Sequence, residues 1–159
     1  MKQSILFFIL FTVGLNTIAQ HKTISEEFNI QFESTEYLPS YATESEDVIG
    51  YQNNNFAVDI QKIDVTKAPD GILEDLKALS KKVALDFGFT DLGAGNTMPD
   101  QPNSYYIRGY DKEGGQKIPV YVGLIYVKEK NLVYQITVDC YNSDLREGTK
   151  ITRSFKLLK

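Results

Sequence analysis

The segment 104–141 (SYYIRGYDKEGGQKIPVYVGLIYVKEKNLVYQITVDCY) constrains the fold most, because it reads as three β-strands joined by two turns. The middle strand, 116–128, is apolar on both alternating faces, which is typical of a central strand covered on both sides. Pro119 cannot donate to a neighbouring strand, so regular pairing is expected to start after it. In the third strand, 131–141, apolar residues alternate with Gln135, Thr137 and Asp139. These patterns predict an antiparallel meander.

Three more strands are predicted before this meander. The first, 27–32, alternates, with Phe28, Ile30 and Phe32 on one face. The second and third, 48–53 and 55–65, flank an Asn-rich turn and form a hairpin. The apolar alternation shifts phase near Gln61 and Lys62, which predicts a β-bulge there.

The strongest helix signal follows Asp70, which is expected to be the N-cap, and ends at Gly88, which is expected to adopt the C′ position. Its apolar stripe recurs at helical spacing and consists of Ile72, Leu76, Leu79, Val83 and Phe87. A second helix is expected after Asp144 and is predicted to be broken or delayed by Gly148. Together these elements predict an α+β fold: an antiparallel sheet of about six strands with the main helix on one face and the C-terminal helix on the other.

The first nineteen residues are typical of a bacterial secretory signal peptide. A short segment with one Lys precedes the apolar run 5–15, and Ala19 offers a small residue for cleavage. The run is too short for a membrane-spanning helix, which needs about 20 residues. We therefore expect export to the periplasm or the medium, cleavage after Ala19, a flexible leader at 20–26, and a single domain at 27–159.

Charge and cysteine content narrow the possible partners. Removal of 1–19 leaves 16 basic and 21 acidic residues. An acidic chain without a basic run argues against nucleic acid and against stable association with an anionic membrane. Cys140 is the only cysteine and lies on the apolar side of its strand, so it is expected to be buried and unreactive.

The residues needed for several kinds of catalysis are missing from the sequence. His21 is the only histidine, so neither Ser-His-Asp nor Cys-His hydrolysis is expected. The sequence Gly93-Ala94-Gly95 follows the helix instead of preceding one, which favours a bend over a phosphate site. No cofactor and no metal site is predicted.

Carboxylates supply the remaining chemical alternatives. A pair among them could support glycoside hydrolysis, although a solvated acidic surface is the simpler interpretation. The candidates are Asp59, Asp64, Asp111, Glu113 and Asp139. The long loop 33–47 could bind a cation weakly, but its acids lack an ordered calcium-loop spacing. These acids are Glu33, Glu36, Glu44, Glu46 and Asp47.

Tyrosines are concentrated in the meander. A Tyr side chain has an apolar body and a polar tip, which suits both sheet packing and recognition. The candidate binding surface consists of Tyr105, Tyr106, Tyr110 and Tyr121.

The sequence resembles the PsbP-like (Mog-like) domains, which include small secreted bacterial members. The resemblance rests on the order of elements and on three strings: FNIQF at 28–32, FGF at 87–89, and the ending ITRSFKLLK with its Ser154-Phe155 pair. It covers 27–159. It implies an antiparallel sheet with helices on both faces, no common catalytic motif and no functional residue that can be transferred.

These observations predict an exported, non-enzymatic binding or accessory domain whose partner is a protein or a small ligand. A carboxylate-dependent hydrolase and a structural component of the cell envelope are the alternatives.

Overall fold

The computed structural model describes residues 20–66, 68, 71, 73–113 and 115–158. The expected signal peptide lies outside these residues, as do Asp70 and Ile72 of the predicted helix. Within the described part, nine strands form two antiparallel sheets, and two α-helices pack against them. This arrangement confirms the predicted α+β class and the six-stranded sheet.

The strands are β1 (His21–Ser25), β2 (Ile30–Ser34), β3 (Ser40–Tyr41), β4 (Val48–Gln52), β5 (Phe56–Asp64), β6 (Ser104–Glu113), β7 (Gln116–Val127), β8 (Leu132–Cys140) and β9 (Lys156–Leu157). The helices are α1 (Leu76–Asp86) and α2 (Leu145–Ser154). The large sheet has the strand order β3-β4-β5-β8-β7-β6, and the small sheet has the order β1-β2-β9.

Strand β7 is central, as its two apolar faces predict. It pairs with β6 on one side and β8 on the other, and side chains on both of its faces are buried. On the β8 side the pairing begins at Val120 opposite Asp139, directly after Pro119. Because side chains alternate along a strand, Tyr121 and Val122 face opposite layers. These two layers hold the two helices.

Helix α2 packs on the Tyr121 face and is unbroken, so the expected interruption at Gly148 is wrong. A Cβ at Gly148 would lie 2.4 Å from Cys140 Sγ and 2.7 Å from a Tyr121 ring carbon. The glycine therefore allows the helix to approach the sheet closely. Ile151 and Phe155 are fully buried against the same core.

Helix α1 packs on the other face, where Ala84 joins Ile107, Val120 and Val122 in a second apolar cluster. It begins later than predicted, because the Asp75 side chain caps it by accepting from Ala78 N at 2.8 Å. Its fully buried residues are small, Ser80 and Ala84.

The end of α1 matches the sequence only in part. Gly88 has φ +82°, as expected for a C′ residue. Phe87 is 51% exposed, however, so its place in the predicted buried stripe is wrong. Phe87 is the last residue with helical backbone angles, and its exposed ring lies 5.7 Å from the ring of Phe89.

The small sheet completes the main core. Phe28, Ile30 and Phe32 are buried, as their alternation predicts, but the strand is displaced to 30–34, so Phe28 lies in the turn before it. Its partner β1 lies within 20–26, where a flexible leader was expected. Strand β1 forms although most of its residues are polar, because each residue from His21 to Ser25 pairs with a residue of β2.

Strand β5 pairs with β8 one residue to one from Phe56 to Asp64. The predicted bulge at Gln61 and Lys62 is therefore wrong. The change in apolar phase has another cause: Ile60 faces the main core, whereas Ile63 lies on the opposite side of the sheet.

The segment after α1 runs along the outer edge of β6. Single bridges join Thr90 to Tyr110 and Asn96 to Tyr106. A Cβ at Gly95 would lie 2.1 Å from the Tyr106 carbonyl oxygen, so glycine is required by this close approach. The Gly-Ala-Gly sequence is thus part of an irregular strand-like bend, as predicted.

We expect Gly148→Ala to lower the free energy of unfolding by about 1–3 kcal/mol, because the added methyl group overpacks the contact with Cys140 and Tyr121. In an exposed helix the same change stabilises, since alanine is the better helix former. Urea unfolding measures the effect. The double variant Gly148→Ala/Cys140→Ala should destabilise less than the sum of its single changes, and strict additivity would contradict this packing.

Candidate functional site

The two faces of the large sheet are covered unequally. Six strands at about 4.8 Å spacing span about 24 Å, whereas a helix about 10 Å wide covers about two strands. One face receives both α2 and the small sheet. On the other face, α1 packs on β6 and β7. Among the described residues, no further helix lies over β4, β5 and β8 on this side.

We call this exposed region the open face. Strand pairing and alternation place on it side chains that are at least partly exposed, and seven of them are Tyr41, Val48, Asp59, Gln61, Gln135, Thr137 and Asp139. Two of these seven are acidic and none is basic. The nearby Lys62 points to the opposite face, where its Nζ lies 4.0 Å from the centre of the Phe28 ring.

Asp59 and Asp139 occupy neighbouring positions on the open face. Asp59 pairs with Thr137, and Asp139 lies two residues further along the same side of β8. Such diagonal neighbours in an antiparallel pair lie about 7–8 Å apart. Thr137 is therefore the cross-strand neighbour of Asp59 and the same-strand neighbour of Asp139.

Tyr41 borders these carboxylates. Its hydroxyl donates a hydrogen bond to Asp59 Oδ1, and its ring lies directly over Gly50, where a Cβ would overlap the ring. Burial of the phenol is the main cause that raises the pKa of Tyr41, and the hydrogen bond to Asp59 adds to it. The hydroxyl thus stays protonated and holds the Asp59 carboxylate in place.

The four tyrosines of the predicted binding surface do not share one face. Tyr105 lies on the α1 side, whereas Tyr106, Tyr110 and Tyr121 lie on the α2 side. Tyr106 and Tyr121 are buried, and the Tyr121 hydroxyl donates to Leu145 O at 2.9 Å. These two residues therefore belong to the core and do not form part of an exposed surface.

Tyr105 lines an open groove of about 740 Å³ beneath the beginning of α1. The other side chains in this groove include Lys77, Tyr126, Lys128 and Asn131. The groove is lined mainly by polar residues, so it differs from the closed apolar cavity that typically buries a small ligand.

The candidate carboxylates are dispersed, apart from the pair on the open face. Asp64 lies on the α2 side of β5, and Asp111 lies on β6 with its Oδ1 accepting from Lys112 N. The side chain of Glu113 lies outside the described residues. Asp59 and Asp139 project from the same face of one sheet, whereas glycoside hydrolysis needs two carboxylates that flank the bond between them.

The acidic loop has a structural role at Glu36. This carboxylate accepts hydrogen bonds at 2.8–2.9 Å from the side-chain amides of Asn53 and Asn55, which tie the loop to the β4–β5 turn. Among the described residues, no three His, Cys, Asp or Glu side chains come together as a possible metal site. No helix in that part of the chain is long and apolar enough to cross a membrane.

Cys140 is fully buried, as predicted. Burial, followed by the negative charge of Asp139, raises the pKa of its thiol from the ordinary 9.0 to about 12. His21 lies in β1 of the small sheet, where its ring contacts Tyr37. The thiol therefore lacks both the access and the ionisation that a nucleophile needs.

The sequence indicated part of the open face. The polar positions Gln135, Thr137 and Asp139 already mark one side of β8 as facing away from the core. The proximity of Asp59 and Tyr41 follows from pairings between strands that are distant in the chain, and no local pattern contains it.

We expect Cys140 to resist a thiol-specific reagent at pH 8 in the native protein and to react after unfolding in urea.

The raised pKa of Cys140 also stabilises the fold below pH 9, and this contribution is lost as the pH rises toward about 12. From pH 8 to pH 10, unfolding free energy should fall about 1 kcal/mol more in the wild type than in Cys140→Ala. Equal slopes would contradict the assignment.

No protein-family model matches the sequence, and no curated protein matches it either. Solved structures do match. The Ran-binding protein Mog1p of Saccharomyces cerevisiae superposes with a TM-score of 0.62 at 8% identity, over 89% of this chain and 96% of that chain.

The cyanobacterial PsbP (CyanoP) of Synechocystis sp. PCC 6803 superposes with a TM-score of 0.57 at 8% identity, over 91% of this chain and 95% of that one. A Bacteroides thetaiotaomicron protein matches with a TM-score of 0.51 at 10% identity, over 87% of this chain and 48% of its own. The chain therefore has the PsbP/Mog-like fold, which confirms the fold that the resemblance implies.

Proposed function

We propose that this protein is an exported, non-enzymatic domain that binds a protein partner through the open face. The observation that carries this proposal is the unequal covering of the sheet, which leaves β4, β5 and β8 exposed on one side. One face of an antiparallel sheet can remain in contact with solvent, and here that face presents Tyr41 together with polar side chains that a protein partner can contact.

The composition of the open face suits a protein partner. Tyr41 contributes a large, partly exposed ring, and tyrosine is enriched at protein interfaces. The same face also carries Thr137, Gln61 and Gln135, which provide hydrogen-bonding groups. One structural neighbour is described as a Ran-binding protein, so this fold supports protein binding in at least one case.

The geometry also supports a non-enzymatic role. Cys140 is buried under α2, and His21 lies in a different sheet. The carboxylates Asp59 and Asp139 stand side by side on one sheet face. None of these arrangements pairs a nucleophile with a base.

Export is part of the proposal and rests on the apolar segment 5–15 and the small residue Ala19. We expect the protein recovered from the periplasm or the culture medium to begin at Gln20. N-terminal sequencing tests this directly. A protein that retains Met1 and remains in the cytoplasm would contradict it, whatever the outcome for binding.

We expect Gln61→Trp to abolish partner binding, because the indole blocks the middle of the open face without changing its charge. The tagged protein would be incubated with envelope extracts from its own source, cross-linked, and its partners quantified by mass spectrometry. Ile24→Trp is the matched control, since Ile24 is 51% exposed on β1 of the small sheet.

Thermal melting would establish that both variants are folded. The proposal predicts a set of proteins captured by the wild type and by Ile24→Trp but lost with Gln61→Trp. If Gln61→Trp captures the same proteins in the same amounts as the wild type, the open face is not the binding surface.

A further inference from the structure

We propose that the outer surface of α2, together with the neighbouring Arg108, binds an extended acidic segment of a partner protein. We call this surface the arginine face and define it by Arg108, Arg146, Lys150 and Arg153. It lies on the α2 side of the large sheet, whereas the open face lies on the other side. It is therefore a second binding surface, and its test does not depend on whether the open face binds a partner.

The distribution of arginine sets this surface apart. The chain has three arginines, Arg108, Arg146 and Arg153, against 21 acidic residues. Two of them lie on α2, and Arg108 lies on β6 directly opposite Tyr121. The four ion pairs among the described residues all use lysine, so none of the three guanidinium groups has a carboxylate partner there. Arginine is the side chain best suited to bind carboxylates, and on this surface its donors remain available for a partner.

Three of the four cations form a stripe along α2, because residues three and four apart share one face of a helix. Arg146 and Arg153 are exposed, and Lys150 between them is partly exposed, with its Nζ 4.0 Å from Glu147 Oε2. The stripe borders an open groove of about 520 Å³. The other residues that line this groove are Gln20, Glu33, Pro99, Thr149 and Ser154.

Arg108 adjoins the beginning of this stripe. It pairs across the strands with Tyr121, whose hydroxyl lies 2.9 Å from Thr149 Oγ1 on α2. Burial raises the pKa of Tyr121, and contact with Thr149 and the charge of Arg108 oppose this rise. Within the described part of the chain, the buried Nε of Arg108 has no hydrogen-bond partner. A buried donor without an acceptor is unfavourable, and an acceptor supplied by a partner relieves that cost when the partly exposed side chain turns toward it.

The hydroxyl groups of the groove favour carboxylates over a phosphate group. Compact phosphate sites usually add backbone N–H or hydroxyl donors to their cations. Here the Thr149 hydroxyl donates to Leu145 O, and the Ser154 hydroxyl donates to Ile151 O, both at 2.7 Å. Both donors are therefore already used, and the arginine and lysine side chains are left as the main binding groups.

The spacing of the stripe matches an extended peptide. A helix rises about 1.5 Å per residue, so Lys150 lies about 6 Å along the axis from Arg146, and Arg153 lies about 4.5 Å further. Alternate side chains of an extended chain are about 6.6 Å apart. Acidic residues at alternate positions of a partner segment can therefore face successive cations of the arginine face.

Glu33 is the only acid among the described residues that line the groove. The nearby Asp144 caps α2 by accepting from Arg146 N and Glu147 N, and Glu147 accepts from Thr35 N. These two acids are thus occupied within the fold. Glu33 repels an acidic segment, so Glu33→Gln should strengthen its binding about threefold, as expected for removal of one exposed like charge.

The test uses three fluorescent peptides of equal length, in which serine alternates with glutamate, glutamine or lysine. Binding to the purified protein at low salt is measured by fluorescence anisotropy. We expect the glutamate peptide to bind and the other two not to bind. Added salt should weaken the binding, because the arginine face is accessible to solvent. Gln61→Trp on the open face should leave it unchanged, which separates this result from the proposed function.

Charge-neutral variants test which cations are responsible. Arg146→Gln and Arg153→Gln should each weaken binding of the glutamate peptide about tenfold, as expected for loss of a charge-assisted hydrogen bond. Lys77→Gln is the matched control, since it removes one exposed positive charge from α1 on the opposite side of the sheet. It should change binding less than twofold.

Arg108→Met distinguishes a binding role of this residue from a structural one. Its loss should weaken peptide binding about tenfold and also raise the Tm, because the buried Nε without a partner is removed. A lower Tm with unchanged peptide binding would contradict the place of Arg108 in the arginine face.

Four further outcomes would overturn the proposal. One is equal binding of the three peptides, and another is an equal loss in Lys77→Gln and the two Gln variants of α2. Displacement of the glutamate peptide by inorganic triphosphate, at concentrations below those of the unlabelled peptide, would assign the face to a phosphate-bearing ligand. Self-association in sedimentation that is lost in Arg153→Gln would assign it to a second copy of the chain.

Discussion

The close contact of α2 with the sheet at Gly148 is the constraint on which much of the structure depends. Because this residue has no side chain, the helix approaches Tyr121 and Cys140 directly. The Tyr121 hydroxyl then reaches Leu145 O, and Ile151 enters the core. A bulkier residue at 148 would hold the helix away from the sheet and leave these groups without their contacts.

The same helix fastens the small sheet. Glu147 accepts a hydrogen bond from Thr35 N, and Ser154 Oγ accepts from Glu33 N at 2.8 Å. On the same side, the Tyr134 hydroxyl donates to Phe28 O at 2.6 Å. The α2 side of the large sheet is therefore covered by a helix and a second sheet, whereas α1 is the only α-helix that the described residues place on the other side. The open face results from this unequal division of the chain.

The sequence predicted the order of the elements because strand alternation and helical spacing are local signals. It placed the meander, the β4–β5 hairpin and Asp144 as the start of α2 correctly. It failed where distant contacts decide the outcome. Gly148 suggested a broken helix, since its packing partners Tyr121 and Cys140 are remote in sequence, and β1 forms only because β2 lies beside it.

The candidate site shows the same limit. The polar side of β8 was visible in the alternation of Gln135, Thr137 and Asp139. Its neighbours Asp59 and Tyr41 are brought beside it by the pairings of β5 with β8 and of β3 with β4. The tyrosine-rich meander suggested another surface, but side-chain alternation distributes those rings over both faces and places two of them in the core.

The bend at 90–96 pairs with the outer edge of β6, and β3 at the opposite edge of the sheet is only two residues long. The large sheet thus offers little free backbone for strand-by-strand stacking, which protects it from fibrous aggregation.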